Sequence, residues 1–308
     1  MKIKNITTKN NVFLAPMAGY TDIAFRHLCK KFGAGLTTTE MVSAKGLIYD
    51  SEKTKQLLIT SPLEDIKVVQ LFGNDPIVMA KAINHEVLKD FDIIDINMGC
   101  PAPKIIKNGE GSFLLTQPEL ARRIVETAVK STTKPITVKM RLGYTTDVSV
   151  EFAKMLEEAG ASAITVHGRL MTDGYSGKAN YEAIAKVKQA VNIPVVANGD
   201  VCCVDDYNKI LGTTHADAVM IGRGAVGNPK LFADILGLDV EFNKIETIKE
   251  QYNMLLSYYS EHFVVTNMRK HILQYFKGEN LPNQLKLSLM QAETVSEVFK
   301  LLDENFSK

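Results

Sequence analysis

From Val12 to Ile221, short β-rich apolar segments alternate with longer amphipathic ones, and this rhythm constrains the fold more than any other feature of the chain. The apolar segments are Val12–Pro16, Leu36–Glu40, Lys67–Leu71, Ile93–Asn97, Ile136–Arg141, Ala163–His167, Pro194–Ala197 and Ala218–Ile221. Between them lie helical patterns at Ile23–Phe32, Pro76–Leu88, Pro118–Val129, Val150–Ala159 and Tyr181–Val191, several of them stopping at a glycine or a basic residue. Strands that return through helices run parallel. An open doubly wound sheet accepts such a series too, but eight units over about 235 residues match the size of a closed barrel. The expected fold class is therefore α/β, a (β/α)8 TIM barrel.

Polar residues respect the strand direction. The segments begin apolar and end at Met17-Ala18-Gly19, Glu40, Gln70, Asn97, Lys139 with Arg141, His167, Asn198-Gly199-Asp200 and Gly222-Arg223. In a barrel these ends open on one face, where barrel enzymes carry their chemistry. Period-two alternation turns Ile136, Val138 and Met140 toward the helices and leaves Thr137, Lys139 and Arg141 pointing to the interior and mouth. An inward lysine needs an anionic or polar partner. An internal carboxylate, Glu40 or Asp95, is one candidate and a bound anion is the other.

Composition excludes several classes. The chain has 308 residues, 45% of them hydrophobic and 23% charged, enough apolar content for a core and too much for disorder. Its four cysteines show no paired spacing, no apolar run is long enough to span a bilayer, and Met1-Lys2-Ile3-Lys4-Asn5 lacks a signal-peptide core. A reducing cytoplasmic location, no membrane and no metal are expected. The net charge of +1 gives no global support to nucleic-acid binding, so any argument for RNA must rest on the site.

One turn is hard to explain as mere connection. Asp95-Ile96-Asn97-Met98-Gly99-Cys100-Pro101 runs from a buried strand into a polar turn that carries a single cysteine. No second cysteine stands at redox or zinc spacing, so Cys100 is either a thiol presented to a substrate or a small buried hydrophobe. After the seventh and eighth segments come Ala197-Asn198-Gly199-Asp200-Val201 and Gly222-Arg223-Gly224-Ala225-Val226-Gly227-Asn228-Pro229, both glycine turns entering helices. Freed amides, a helix N-terminus and Arg223 form a phosphate cradle there, at the place barrels commonly use. No dinucleotide fingerprint opens a βαβ unit, so a mononucleotide such as FMN suits the cradle better than a resident dinucleotide.

From about Glu241 the texture changes. Ile245, Ile248, Tyr252, Leu255, Leu256, Tyr259 and Phe263 recur at helical spacing, followed by helical patterns at Met268–Phe276 and Gln284–Leu302. The expected division is a barrel at 1–238 and an all-helical domain at 239–308.

Several motifs, in order, closely resemble those of bacterial tRNA-dihydrouridine synthases. They are Leu14-Ala15-Pro16-Met17-Ala18-Gly19 with Thr21-Asp22, Val69-Gln70-Leu71-Phe72-Gly73, Asp95-Ile96-Asn97-Met98-Gly99-Cys100-Pro101, Val138-Lys139-Met140-Arg141, Val166-His167-Gly168-Arg169, Ala197-Asn198-Gly199-Asp200 and Ile221-Gly222-Arg223-Gly224. The resemblance implies an FMN-bearing barrel with a smaller helical domain, which uses NADPH to reduce particular uridines of tRNA. It places Pro16, Met17 and Ala18 against the flavin ring, Gln70 and Lys139 at its polar edge, and His167 near the flavin or the target base. Asn198, Gly199, Asp200, Gly222 and Arg223 fall around the phosphate. Hydride would pass from flavin N5 to uracil C6, with Cys100 giving the proton to C5 and Asn97 contacting the uracil edge.

Arg141 and Arg169 are expected on the substrate side. Asn267-Met268-Arg269-Lys270-His271-Ile272 resembles the Arg-Lys-His segment of the family's tRNA-binding domain, which makes Arg269 and Lys270 phosphate contacts, while Tyr275 reads as core. A monomer is expected. The resemblance departs at Met171, where many members carry arginine, and Arg169 and Lys178 are the cations left to compensate. Two rivals are an FMN barrel acting on a free pyrimidine and an RNA-binding module on a relict barrel. The helical appendage argues against the first, and the joint presence of Cys100, Lys139 and Arg223 against the second.

Overall fold

The structure, a computed structural model, describes residues 1–306. A hairpin of β1 (Lys2–Ile3) and β2 (Ile6–Thr7) precedes β3 (Val12–Leu14), β4 (Thr37–Ser43), β5 (Lys67–Phe72), β6 (Ile93–Met98), β7 (Ile136–Gly143), β8 (Ala163–Leu170), β9 (Val195–Asn198) and β10 (Ala218–Ile221). From β4 to β10 each strand pairs in parallel with the next, and β10 pairs with β3. The ring closes through Leu36, whose carbonyl accepts from Leu14 N at 2.8 Å, and through Gly35 N, which donates to Val12 O at 2.8 Å. The result is the expected (β/α)8 barrel, its last seam made by the bridge between Phe13 and Leu36.

Strand limits differ from the sequence reading where side chains intervene. β3 stops at Leu14 because Pro16 has no N–H to continue the ladder. β4 runs on to Ser43 through an irregularity between Thr38 and Met41, which lets Thr39 Oγ1 accept from Gln70 N at 3.2 Å. The helix begun at Pro76 ends at Ile83 and not at Leu88, since Asn84 Nδ2 donates back to Ala80 O at 2.9 Å and a separate 3-10 turn follows.

The barrel interior is apolar at its base. Ile3 of the hairpin packs there with Phe13, Leu36, Val68, Ile93, Val196 and Met220, closing the end opposite the strand termini. The hairpin was not expected, because two-residue strands carry no readable period. Outside, the helices present stripes such as Ala121, Ile124, Val125 and Ala128 of Pro118–Ser131. With the base sealed by apolar side chains, uncompensated polar groups can sit only toward the mouth.

Four helices follow the barrel: Lys244–Leu256, Glu261–Tyr275, Asn283–Gln291 and Val295–Phe306. The helical run expected through Phe263 breaks before Ser260, which caps the second helix by accepting from Phe263 N. The run expected from Gln284 breaks at Ala292. Their shared core takes in Tyr252, Met268, Ile272 and Leu302 together with Ile23 and Ala24, so it is built partly from the barrel helix Ile23–Lys31. Among the described residues, no helix is long and apolar enough to cross a membrane.

Candidate active site

The strand ends surround a cavity of about 1110 Å³, on the generous side of the ~300–1,000 Å³ of small-molecule sites. Its floor is a chain of hydrogen bonds. Thr137 Oγ1 donates to Asp95 Oδ1 at 2.5 Å, Gln70 Nε2 to Asp95 Oδ2 at 2.7 Å, and Asn97 Nδ2 to Gln70 Oε1 at 2.8 Å. Asp95 is buried, and burial raises its pKa. Lys139 pairs with neither carboxylate offered by the sequence reading. Its Nζ donates to Asn198 Oδ1 at 3.0 Å, while Glu40 accepts from Gly19 N. Burial, and then the neighbouring Arg141, pull the Lys139 pKa down to about 8.

Cys100 is not the buried hydrophobe of the bland reading: it is partly exposed and lines the cavity. Its backbone is held on both sides. Asn97 Oδ1 accepts from Cys100 N at 2.9 Å and from Gly99 N at 3.2 Å, and the Cys100 carbonyl accepts from Ser112 N at 3.1 Å and Ser112 Oγ at 2.9 Å. Gly111 allows this approach, for at φ 62° a Cβ there would lie 2.8 Å from the Cys100 carbonyl oxygen. Burial raises the thiol pKa, with Arg141 and Lys139 drawing the other way. The thiol is therefore protonated at neutral pH, as a proton donor requires.

Pro16, Met17 and Ala18 line the opposite strand end of the same cavity. Thr21 fixes their turn: its Oγ1 accepts from Met17 N at 3.0 Å, and its N donates to Met17 O at 3.0 Å. The two glycine loops lock into one another, since a Cβ on Gly224 would sit 2.0 Å from Val201 O. The amides of Gly199, Arg223 and Gly224 meet no acceptor among the described residues. Arg223, 56% exposed, lies 4.6 Å over the Tyr175 ring. Free amides beside an available guanidinium suit a phosphate.

Two arginines expected on the substrate side also brace the loops around the cavity, and Arg141 lines it. Arg141, 2% exposed, donates from Nε to Gly99 O at 2.9 Å and from Nη1 to Leu170 O and Gly174 O at 2.8 Å each, tying the cysteine turn to the loop after β8. Arg169, equally buried, donates to Ser176 O, Gly177 O and Asp200, which leaves it no reach toward RNA. It cannot compensate for Met171, and exposed Lys178 is the cation that remains there. The Asp200 carboxylate orients Arg169 and stands 3.6 Å from Arg223, so only its backbone could face a phosphate. Asn97 caps the cysteine turn through Oδ1, while its Nδ2 donates to Gln70 Oε1 at 2.8 Å and to the weak acceptor Met41 Sδ at 3.8 Å, the contact a base would have to replace.

The family model for dihydrouridine synthase (Dus) matches residues 13–308. The chain belongs to the dihydrouridine synthase family. A Pasteurella multocida relative, tRNA-dihydrouridine synthase B, is 40% identical over 289 residues, covering 90% of this chain and 87% of its own. Its namesake from Shewanella oneidensis is 38% identical over 319 positions, covering 100% and 99%. Among solved structures, histamine dehydrogenase from Rhizobium sp. 4-9 has a TM-score of 0.59 at 15% identity over 82% of this chain and 50% of that one. A variant of NCR from Zymomonas mobilis has a TM-score of 0.58 at 19% identity over 80% and 93%. At such identities the likeness shows the fold alone.

Within this family member, the Arg-Lys-His segment faces inward more than a basic patch would. Arg269 Nη2 donates to Ala292 O at 3.2 Å, a contact between helices, and Lys270 Nζ donates to Asn267 Oδ1 at 2.6 Å beside Gly19. His271 is fully buried. Tyr275 Oη donates to Gln251 Oε1 at 2.8 Å, so the Gln251 amide N–H faces His271 Nδ1 at 3.3 Å and the ring proton sits on Nε2. That Nε2 has no hydrogen-bond partner, Asp22 Oδ2 being 3.8 Å away.

His167 is neutral too. Arg169 can only donate, so Nε2 of His167 accepts at 3.3 Å and its proton lies on Nδ1. Burial and then the neighbouring cations pull its pKa down from 6.5 to about 2, and burial takes His271 to about 4. The unfolded chain thus binds more protons below about pH 6.5, and stability falls as pH drops from 6.5 toward 4. Urea midpoints across that window are expected to fall less steeply for His271→Gln than for the wild type. Equal slopes would show that His271 takes up no proton on unfolding.

Proposed function

We propose that this chain is a tRNA-dihydrouridine synthase that binds FMN in the barrel mouth, draws reducing equivalents from NADPH and reduces the C5=C6 bond of uridines in tRNA. The observation that carries the reading is a thiol fixed at both sides of its backbone, in one cavity with Lys139 and two interlocked glycine loops, with burial raising the thiol's pKa. The names and coverage of the curated relatives support it.

The flavin, when bound, supplies the hydride that adds to C6 of the uracil. Cys100 Sγ gives its proton to C5, and the thiolate left behind is stabilised by Arg141 and Lys139, the same cations that oppose the rise in its pKa. Lys139, its Nζ fixed by Asn198, would bring positive charge to the polar edge of a bound flavin. Gln70 retains an amide N–H for the flavin or the base, and Asn97 can offer one by giving up its weak 3.8 Å contact to Met41 Sδ. Neutral His167 can offer Nδ1–H without adding charge. A uridine inside folded RNA reaches this floor only by leaving its stack.

Loss of dihydrouridine from tRNA in a deletion strain, restored by the wild-type chain, tests the function. The cofactor has its own test. The protein is expected to purify yellow with one FMN per chain, and Arg223→Ala should weaken FMN by about 1.5–3 kcal/mol, the worth of a charged hydrogen bond. A colourless protein that takes up no added FMN would sink the flavin assignment.

A further inference from the structure

The cavity does not end at the barrel loops. Its wall passes from Gly227 onto Lys244, Gln274 and Lys277 of the helical segment. Backbone meets backbone at this seam: at Gly227, φ 75°, a Cβ would lie 2.3 Å from the carbonyl of Gln274 and 2.5 Å from Tyr275 N. The last turn of the Glu261–Tyr275 helix therefore rests directly on the loop that follows Arg223.

The charges on this wall are unequally committed. Asp200 pairs closely with Arg169 at 2.8 Å and loosely with Arg223 at 3.6 Å, so Arg223 is the less committed cation of the two loops and already shares its charge with a carboxylate. A phosphate monoester carries about −1.5 to −2 at neutral pH, so one arginine undercompensates it. The nearby helix end makes matters worse, because a C-terminus is the negative pole of its helix. Lys244 is taken, its Nζ bound to Glu279 and 5.2 Å from the Phe276 ring. Lys277 is exposed and has no ion-pair partner among the described residues. It lines the same cavity as Cys202 and Arg223; burial, and then Asp206, raise the Cys202 thiol pKa, while Lys277 and Arg223 draw it the other way.

We propose that Lys277 is a second cation for the cofactor's phosphate monoester, so that the helical segment completes a cofactor site which the barrel leaves open on one side. The proposal rests on the FMN reading above. Exposure lets Lys277 change without disturbing a core, and a flavin without the phosphate isolates its effect.

The test is the affinity of the full-length apoprotein for FMN and for riboflavin, read by flavin fluorescence in the wild type, Lys277→Ala and Lys277→Arg, with tRNA binding measured alongside. Lys277→Ala is expected to lose about fivefold in FMN affinity, the upper end for an exposed ion pair, while riboflavin binding stays as it was and Lys277→Arg stays near the wild type. A wild-type preference for FMN that survives intact in Lys277→Ala overturns the proposal and leaves the FMN reading standing. So does a loss confined to tRNA, which would hand Lys277 to the RNA. A wild type that binds riboflavin as tightly as FMN removes the phosphate cradle itself, and the proposal with it.

Discussion

Cys100→Ala is expected to slow the reoxidation of reduced flavin by tRNA by about 10² to 10⁴, the usual worth of a general acid, while NADPH still reduces the flavin at the wild-type rate. The two half-reactions separate because only the second needs a proton at uracil C5. The substitution is also structurally mild. Asn97, Ser112 and Gly111 hold the turn through the backbone of Cys100, and none of these bonds uses the sulfur. A stopped-flow trace of each half-reaction, with tRNA affinity measured in parallel, decides the matter. Near-normal single-turnover formation of dihydrouridine by Cys100→Ala would remove the proton-donor role.

Cys100→Ser is the informative companion. A hydroxyl has the shape of the thiol but is a far weaker acid, so it should behave like the alanine if proton delivery is what matters. If packing alone mattered, serine would restore the rate.

Much of this site was legible because strand polarity is a local property. Lys139 and Thr137 stand two apart and must share a face, and the glycine loops announce themselves wherever they fold. Partners were not legible. The sequence shows that Arg169 is charged, but only the fold brings the carbonyls of Ser176 and Gly177 and the Asp200 carboxylate to it. Asn97 could be read as a turn former or a base contact, and the amides that choose between them depend on how the chain turns at Gly99.

The Arg-Lys-His segment is only half turned to the surface. Val264, Met268, His271 and Tyr275 are buried at helical spacing, so the period that exposes Arg269 and Lys270 only in part was present in the sequence. The expectation for Arg269 and Lys270 rests on the family resemblance and not on that period. Ser112, which fixes the Cys100 turn from twelve residues away, and Gly111 beside it gave no signal beyond an ordinary Gly-Ser pair.

The largest stability effect should come from a pair that the sequence hides altogether. Arg26 and Glu64 are 1% and 3% exposed, and Arg26 Nε donates to Glu64 Oε2 at 3.0 Å. Arg26 also donates from Nη1 to Thr21 O and from Nη2 to Ile59 O, both at 2.6 Å. Glu64 in turn accepts from Ser61 N at 2.8 Å and Thr37 Oγ1 at 3.2 Å. Thr21 is the residue that fixes the Met17 turn, so this buried pair supports the strip expected to face the flavin.

Glu64→Ala is expected to destabilise the fold by about 3–5 kcal/mol, because it strands a buried guanidinium. Removing both charges is a different experiment. Arg26→Met with Glu64→Leu leaves no stranded ion and should recover most of that loss in urea unfolding, although Thr21 O and Ile59 O then lose a donor. Flavin affinity supplies the second readout. If the pair acts by holding the Met17 turn, the double variant stays folded but binds FMN more weakly than the wild type. Full flavin affinity in a stable double variant would show that Thr21 holds the turn without help from Arg26.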